Sequence, residues 1–266
     1  LAAGMDEIDE PALFVDIGTN GELALANKGR ITATSVAAGP AFEGARITHG
    51  MRASSGAVEK VVMEGEVTAL NVVGNVKPSG ICGTGLIDLA ALLLDYGVID
   101  SSGRIPGPGD LRESLPEDLR RRVIETGSGF AFVFASSEES ANGEPLCLYQ
   151  KDIRELQLAN GAIRAGISIL LKKEKLEPED IRIVFLAGAF GNFVRRKNAL
   201  RIGMLPRIPT DKIRFVGNTA SFGAKQLLLS SDERVRAEKI SAETVHLDLS
   251  LDPDFQEEFG SAMIFP

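Results

Sequence analysis

An aspartate and a threonine lie beside a glycine-rich turn near the start of the chain, an arrangement that suits phosphate chemistry. Residues 12–15 form an apolar run that predicts a buried strand, and the run breaks at Gly18-Thr19-Asn20-Gly21 before an alternating second strand. Glycines remove side chains and permit positive φ, so backbone N–H groups and the Thr19 hydroxyl can approach an anion. Asp16, at the end of the first strand, is placed to hold a phosphate-bound metal ion or to orient a water. The alternative is an ordinary tight turn, because Asn-Gly is a strong hairpin signal.

Three later glycine-containing stretches favour the phosphate interpretation over the plain turn. They are Gly39-Pro40-Ala41-Phe42-Glu43-Gly44, Leu186-Ala187-Gly188-Ala189-Phe190-Gly191-Asn192 and Val216-Gly217-Asn218-Thr219-Ala220, and the last two each end an apolar strand. In this order the sequence resembles the nucleotide-binding superfamily of actin, the large heat-shock chaperones and sugar kinases. In that superfamily an Asp-x-Gly hairpin holds the ATP phosphates, and a later glycine-rich turn holds the adenosine.

Within that superfamily the sequence looks most like the C-terminal domain of reductive activators of corrinoid proteins. The likeness extends over almost the whole chain. The stretches that carry it are Asp16-Ile17-Gly18-Thr19-Asn20-Gly21-Glu22, Ala37-Ala38-Gly39-Pro40-Ala41-Phe42-Glu43-Gly44-Ala45, Gly80-Ile81-Cys82-Gly83-Thr84-Gly85-Leu86-Ile87-Asp88 and Leu186-Ala187-Gly188-Ala189-Phe190-Gly191-Asn192.

The resemblance implies binding of ATP and Mg²⁺, with Asp16 as the catalytic and metal-binding residue. Small residues from Gly188 onward, at the carboxyl end of a strand, let a flat base lie against the backbone. Replacing Gly188 with valine is therefore expected to weaken nucleotide binding and to leave the stability of the nucleotide-free protein nearly unchanged. The implied nucleotide contacts are Gly18, Thr19, Asn20, Gly21, Gly39, Glu43, Asp152, Gly188, Ala189, Phe190 and Gly191.

Two of these contacts have a second interpretation that the residues alone leave open. Glu43 lies in the first turn of a helix predicted from Pro40 to about Gly50, where a carboxylate can serve as a cap. Asp152 stands with Lys151, Arg154 and Glu155 in the first turns of a long predicted helix. Four charges there also fit a solvated helix face.

Composition limits the classes of partner and compartment. The chain has 266 residues and a formal net charge of -8, which argues against nucleic acid as the main partner. Two cysteines cannot form a disulfide framework, which indicates a reducing, cytoplasmic setting. No apolar run reaches the roughly 18 to 20 residues that span a bilayer, so we expect no membrane partner. The two histidines are far apart in sequence and predict no metal site.

Hydrophobic periodicity predicts an α/β fold, and the order of the predicted elements fits a ribonuclease H-like lobe with a mixed sheet, helices and an inserted hairpin excursion. Residues 1–10 read as a linker remnant, and the resemblance implies that residues 11–266 are the second, ATP-binding lobe of an actin-like ATPase domain. The predicted strands span residues 12–15, 22–27, 30–36, 57–63, 66–73, 129–135, 146–150, 181–187 and 213–216, and the predicted helices residues 40–50, 86–94, 116–126, 151–173 and 220–229, with a short closing helix within 252–263.

Other features keep two interpretations. The Gly80–Gly85 loop can bind an anion at a helix N-terminus or can be a closely packed helix start. Cys82 has no base at a recognisable spacing and is interpreted as a small buried residue. A basic cluster at Arg195, Arg196, Lys197 and Arg201 is either a solvated face or a docking patch for an acidic partner.

The leading functional hypothesis is the ATP-binding half of a reductive activator. In that family ATP hydrolysis accompanies transfer of one electron from a 2Fe-2S centre to a Co(II) corrinoid, restoring Co(I) for methyl transfer. The chain has no four-cysteine motif, so the 2Fe-2S cluster is expected on a missing N-terminal domain. The expected partner is the corrinoid protein of a methyltransferase system, and a homodimer is left open. We expect the isolated chain, with one phosphate hairpin, to show no ATP hydrolysis. The alternatives are a lobe of a small-molecule kinase and a non-catalytic actin-like assembly module.

Overall fold

The computed structural model describes residues 1–188 and 194–266 of the chain. The chain divides into two units, one formed by residues 1–38, 161–196 and 204–262 and the other by residues 39–160, 197–203 and 263–266. The strands are β1 (Ala12–Ile17), β2 (Gly21–Asn27), β3 (Arg30–Val36), β4 (Ala57–Glu64), β5 (Val67–Val72), β6 (Gly80–Ile81), β7 (Val123–Thr126), β8 (Gly129–Ala135), β9 (Leu146–Tyr149), β10 (Ile183–Ala187), β11 (Ile213–Gly217) and β12 (Val245–His246). The helices are α1 (Gly83–Tyr96), α2 (Glu117–Arg121), α3 (Gln150–Glu174), α4 (Arg196–Arg201), α5 (Thr219–Leu229), α6 (Ser231–Glu243) and α7 (Phe255–Ala262).

The first unit is built on a mixed sheet with the strand order β11-β10-β1-β2-β3-β12. The first three predicted strands are present as β1, β2 and β3, which form an antiparallel meander. β10 lies parallel to β1, and β11 lies parallel to β10. The predicted mixed sheet with helices is therefore confirmed, and the carboxyl ends of three parallel strands meet at one edge of the sheet.

The end of α3 that belongs to the first unit packs against this sheet where two glycines leave room. A Cβ at Gly166 would lie 2.5 Å from Leu23 Cδ1 and 2.7 Å from Val36 Cγ1. A Cβ at Gly21 would lie 2.9 Å from Val36 Cγ2 and 3.4 Å from Ile163 Cγ1. The lack of a side chain at Gly166 therefore lets α3 approach β2 and β3 closely.

A short 3-10 turn, Met5–Glu7, packs near the start of the chain. Met5 is buried in a cluster with Ala12, Ala26 and Phe185. The Arg236 guanidinium on α6 donates to both carboxylate oxygens of Asp6, at 2.6 and 2.8 Å. These contacts fix the N-terminal segment within the first unit.

The second unit contains two three-stranded sheets, β5-β4-β6 and β7-β8-β9. The predicted hairpin excursion is present as the antiparallel pair β8 and β9. α1 is buried over most of its length and lies so close to β4 that a Cβ at Gly85 would be 2.2 Å from Val58 O.

Two helix predictions were wrong in extent. The stretch from Pro40 to Gly50 is only a 3-10 turn, Pro40–Glu43, because Gly44 and Arg46 adopt φ of +81° and +65°. Left-handed residues cannot continue a right-handed helix. The helix expected to Thr126 ends at Arg121, after which β-branched residues pair with β8 in β7.

α6 was not predicted at all. All residues of α6 are described, and none of them is buried. Its sequence has no apolar stripe, which is the pattern by which a helix is recognised. A weaker signal was present, since Ser230 Oγ accepts from the Glu233 N–H at 3.2 Å and caps the helix.

Candidate functional site

The predicted phosphate hairpin and Gly188, the first residue of the predicted adenosine turn, meet at the carboxyl edge of the first unit's sheet. The strand register places Asp16 beside Ala187, and Ala187 beside Gly217. The Gly188 N–H donates to Gly217 O at 3.0 Å. Ligands of open α/β sheets bind at such carboxyl edges. The described residues of three of the four stretches singled out in the sequence thus come together within one unit.

Gly188 lies against Asp16 with no space for a side chain. Its φ is +93°, and a Cβ would lie 2.7 Å from Asp16 Oδ1 and 2.7 Å from Ile17 O. Any other residue would be strained in backbone and would press on the carboxylate. The expectation that valine at Gly188 leaves stability unchanged therefore does not fit the structure.

Asp16 is a half-buried carboxylate, and burial raises its pKa above the usual aspartate range, with the nearby Glu22 charge adding to the rise. Neither a hydrogen bond nor an ion pair to Asp16 is found within residues 1–188 and 194–266. A buried polar group without a partner calls for an explanation, and a ligand is one of the usual ones.

The tip of the hairpin differs in detail from the predicted anion cradle. The Gly18 N–H donates to Asn20 O at 3.0 Å, so that donor is used inside the loop. Neither Gly18 nor Gly21 has a positive φ. The glycine at position 21 is needed for packing against Val36, whereas Thr19 and Asn20 lie exposed at the tip.

The helix that leaves this edge begins with a side-chain cap. Asn218 Oδ1 accepts from the Ser221 N–H at 2.9 Å and so caps α5. The N-terminus of α5 thus follows directly on Gly217, at the edge that carries Asp16.

Gly39 and Glu43 belong to the second unit. Gly39 has φ of +77° with open space where a Cβ would be, so its backbone conformation alone favours glycine. Glu43 ends the 3-10 turn and is exposed. Gly44 follows so close to Met51 that a Cβ would lie 2.5 Å from its backbone nitrogen.

Asp152 is fully buried, at 0% exposure, and both of its oxygens are engaged. Oδ1 accepts from the Thr48 N–H at 2.8 Å and from the Thr48 hydroxyl at 2.9 Å. Oδ2 accepts from the Tyr149 N–H at 2.9 Å, a contact that caps the start of α3. These contacts explain the burial of Asp152 and favour a positioning role for it over a direct nucleoside contact.

Lys151 and Arg154, named with Asp152 in the sequence, line a cavity of about 620 Å³ in the second unit. Lys151 Nζ lies 5.9 Å from the centre of the Tyr149 ring. Aromatic walls with two cations suit a planar, negatively charged ligand. Sequence reasoning missed the aromatic members because they lie before α3. The cavity is lined by Thr48, Ser128, Phe130, Tyr149, Gln150, Lys151 and Arg154.

The Gly80–Gly85 loop is a closely packed helix start. A Cβ at Gly80 would lie 2.6 Å from His49 O, and the Thr84 hydroxyl donates to Glu59 O at 2.9 Å. Cys82 is buried, with Sγ 3.4 Å from Val58 O, as predicted. The packing alternative for this loop is the one the structure supports.

Three further sequence features stand as follows. Arg201 pairs with Asp95, and Arg196 lies over the Phe215 ring at 5.1 Å, so part of the basic cluster is engaged within the protein. Ala189, Phe190 and Gly191 lie outside the described residues. No helix of the described chain is long and apolar enough to cross a membrane.

The chemistry of the sheet edge fits a phosphate ligand with Mg²⁺. The described residues contain no group of three or more His, Cys, Asp or Glu side chains that could hold a metal ion. Mg²⁺ bound to nucleotides usually takes only one or two carboxylates and completes its shell with waters and phosphate oxygens. An unpartnered Asp16 beside the side-chain-free Gly188 meets that requirement.

Comparison with known proteins gives a consistent family assignment. A family model described as "C-terminal domain of RACo the ASKHA domain" matches residues 10–266. The curated "Corrinoid activation enzyme RamQ" of Eubacterium limosum is 36% identical over 262 residues, covering 98% of this chain and 44% of that protein. The "[Co(II) methylated amine-specific corrinoid protein] reductase" of Methanosarcina barkeri is 30% identical, covering 92% of this chain and 44% of that protein.

A solved structure agrees with these sequence matches. The structure of a "Reductive activator for corrinoid,iron-sulfur protein" matches with a TM-score of 0.87 and 39% identity, over 99% of this chain and 41% of that chain. The chain therefore spans less than half the length of the relatives that it matches.

Proposed function

Because this chain belongs to the family of C-terminal ASKHA domains of corrinoid reductive activators, we propose that it is the ATP-binding domain of such an activator. The whole protein reduces a Co(II) corrinoid to Co(I), and ATP binding and hydrolysis drive the transfer. The electron comes from a 2Fe-2S centre on another domain. The partner is the corrinoid protein of a methyltransferase system, and the free cysteines fit a cytoplasmic setting.

The observation that carries this proposal is the contact between Asp16 and Gly188. An Asp-x-Gly hairpin and a later glycine turn, 172 positions apart in the sequence, are adjacent at the carboxyl edge of one sheet. The carboxylate has no partner among the residues that the structure describes. A ligand with phosphate oxygens and a divalent cation supplies the missing partner.

Each predicted residue then has a role in the proposal. Asp16 holds the phosphate-bound cation or orients the attacking water, and Thr19, Asn20 and the backbone of Gly18 and Gly21 approach the phosphates. Gly188, with Ala189, Phe190 and Gly191, contacts the nucleoside. The resemblance also supports Gly39 and Glu43 as nucleotide contacts. Asp152 fixes the start of α3, which carries Lys151 and Arg154 into the cavity beside Tyr149.

ATP serves in this proposal as a ligand that changes the relative stability of two protein states. A ligand can shift such an equilibrium only by its differential affinity for the two states. Electron transfer to the corrinoid that is unfavourable in one state can thus proceed in the other.

The test is ATP-dependent reduction of a Co(II) corrinoid protein by the full-length protein, followed by corrinoid absorbance. Replacing Asp16 with alanine should lower ATP turnover by roughly 100-fold or more, because it removes a charge at the reacting phosphate. Asp211→Ala, at an exposed aspartate of a short 3-10 turn, is the matched control. Turnover of the Asp16 variant within about twofold of wild type would contradict the assignment.

A second test uses the 266-residue chain alone. The relatives have more than half of their length outside the matched region, and an exposed phosphate site is weakened by the high dielectric of water. We expect a folded chain with weak Mg-ATP binding and no turnover. Titration calorimetry that shows micromolar binding together with hydrolysis would contradict this expectation.

A further inference from the structure

A second carboxylate, Glu22, faces Asp16 across the hairpin. The register of β1 and β2 pairs Asp16 directly with Glu22. Side chains of directly opposite residues point to the same face of a sheet, with Cβ atoms about 4.5–5.5 Å apart. Both acids therefore stand on one face, at the sheet edge that Gly188 borders.

This pair lacks the compensation that three half-buried or buried aspartates elsewhere in the chain receive. Asp6, Asp118 and Asp152 each accept hydrogen bonds from side chains or backbone. Asp16 and Glu22 have neither a hydrogen bond nor an ion pair in the described parts of the chain. Like charges directly opposite each other in a sheet destabilise it. The arrangement is thus unfavourable for the protein by itself.

A divalent cation removes this repulsion and uses both groups. Hard cations prefer oxygen ligands, and nucleotide-bound Mg²⁺ is held by one or two carboxylates together with waters and phosphate oxygens. The spacing of a directly opposite Asp–Glu pair lets one ion or its waters touch both side chains. The longer Glu22 side chain is exposed and can turn toward Asp16.

We propose that Glu22 is the second carboxylate of the divalent-cation site at Asp16, binding the cation or one of its waters. This inference rests on the proposed function, which places the cation at Asp16. It adds a residue that neither the likeness to known proteins nor the hairpin motif had assigned a role.

The first test follows Mn²⁺ binding to the chain by nuclear magnetic resonance, which detects weak sites. Bound Mn²⁺ broadens the amide signals of nearby residues, so the signals of residues 18–21 and of Gly188 should disappear first. Glu22→Gln should require roughly tenfold more Mn²⁺ for the same broadening. Glu125→Gln is the matched control, because Glu125 is an exposed glutamate on another strand, β7. It should titrate like wild type.

The outcomes separate this inference from the proposed function. If Asp16→Asn weakens the broadening and Glu22→Gln does not, the role of Glu22 is wrong and the site at Asp16 stands. If wild type shows no selective broadening at this sheet edge at millimolar Mn²⁺, the cation site fails together with the role of Glu22.

A second measurement tests whether the opposed charges of Asp16 and Glu22 lower the stability of the metal-free protein. In metal-free buffer, Glu22→Gln should raise the thermal midpoint, because it removes one of two opposed charges. Adding Mn²⁺ should raise the thermal midpoint of the variant by less than it raises that of wild type, because a cation stabilises only the state that binds it. A midpoint lowered equally in both buffers would show a plain structural role and overturn the inference.

Discussion

Gly188 and Asp16 are in such close contact that a Cβ on the glycine would lie 2.7 Å from the carboxylate oxygen Oδ1. The glycine also has φ of +93°. Its lack of a side chain therefore serves two purposes, a backbone conformation and free access to the carboxylate. Because of these two constraints, we expect a substitution at position 188 to destabilise the folded protein even when no ligand is bound.

Replacing Gly188 with alanine should destabilise the nucleotide-free chain by about 2 kcal/mol or more. A left-handed non-glycine residue costs about 1–3 kcal/mol, and the new Cβ overlaps Asp16 and Ile17. Urea unfolding measures the loss. Gly260→Ala is the control with the opposite sign, because Gly260 lies in α7 with nothing within 4 Å, and alanine there should stabilise by up to about 1 kcal/mol. A Gly188 variant as stable as wild type would contradict the geometry.

Asp16→Asn should stabilise the ligand-free chain at neutral pH. Burial raises the pKa of Asp16, so the folded state disfavours the charged form that prevails at pH 7. The penalty grows as pH rises from the unfolded value of 3.8 through the raised folded pKa, and it is absent below 3.8. Unfolding curves of the variant and wild type should therefore differ at pH 7 and converge at acid pH. A difference that widens toward low pH would refute this account.

Asp118 should stabilise the second unit in the opposite pH window. Burial alone would raise its pKa, but hydrogen bonds from Thr68, Arg121 and Arg122 outweigh it and hold the pKa at about 2. The stabilisation is full above the ordinary value of 3.8 and is lost as pH falls toward 2. Asp118→Asn should cost about 3–5 kcal/mol at pH 7, because it leaves the buried Arg122 without its carboxylate.

The control for Asp118 is its neighbour Glu117, whose side chain is 80% exposed and pairs with Arg120 at 3.7 Å. Glu117→Gln should change stability by less than about 0.5 kcal/mol. Two results would show that the hydrogen bonds of Asp118 are not the source of this stability. One is an equal loss of stability in both variants at pH 7, and the other is a loss in Asp118→Asn that does not shrink below pH 3.8.

Arg236→Lys should release the N-terminal segment nearly as fully as Arg236→Ala. The guanidinium binds both oxygens of Asp6 and also contacts Glu7 at 2.8 Å, a geometry that a lysine ammonium cannot reproduce. We expect a loss of about 1 kcal/mol and faster hydrogen exchange at residues 5–8. Lys239→Ala, at an exposed residue of the same helix, should leave exchange unchanged. Protection retained in the lysine variant would show that charge alone suffices.

The sequence by itself determined those features that depend on neighbouring residues. The meander β1–β3, the α1 and α3 helices, the cap at Asn218 and the hairpin turn at residues 18–21 all follow from local periodicity and turn chemistry. The helix predictions that failed also failed for local reasons. Gly44 and Arg46 ended a predicted helix through left-handed conformations, and α6 lacks an apolar stripe.

Only the tertiary structure decided what each motif residue does, because those roles depend on partners distant in the chain. The strand register brought Gly188 onto Asp16 and set Glu22 opposite it. Position 21 requires glycine because of packing and not because of a positive φ. The side chains that leave no room for a Cβ there, Val36 and Ile163, belong to other elements. In the sequence Asp152 was either a nucleotide contact or one of four solvated charges. It is buried, and Thr48, 104 residues earlier, donates to its carboxylate. Residue type and spacing can name a chemistry, whereas burial and contact across the chain decide which residues are available to perform it.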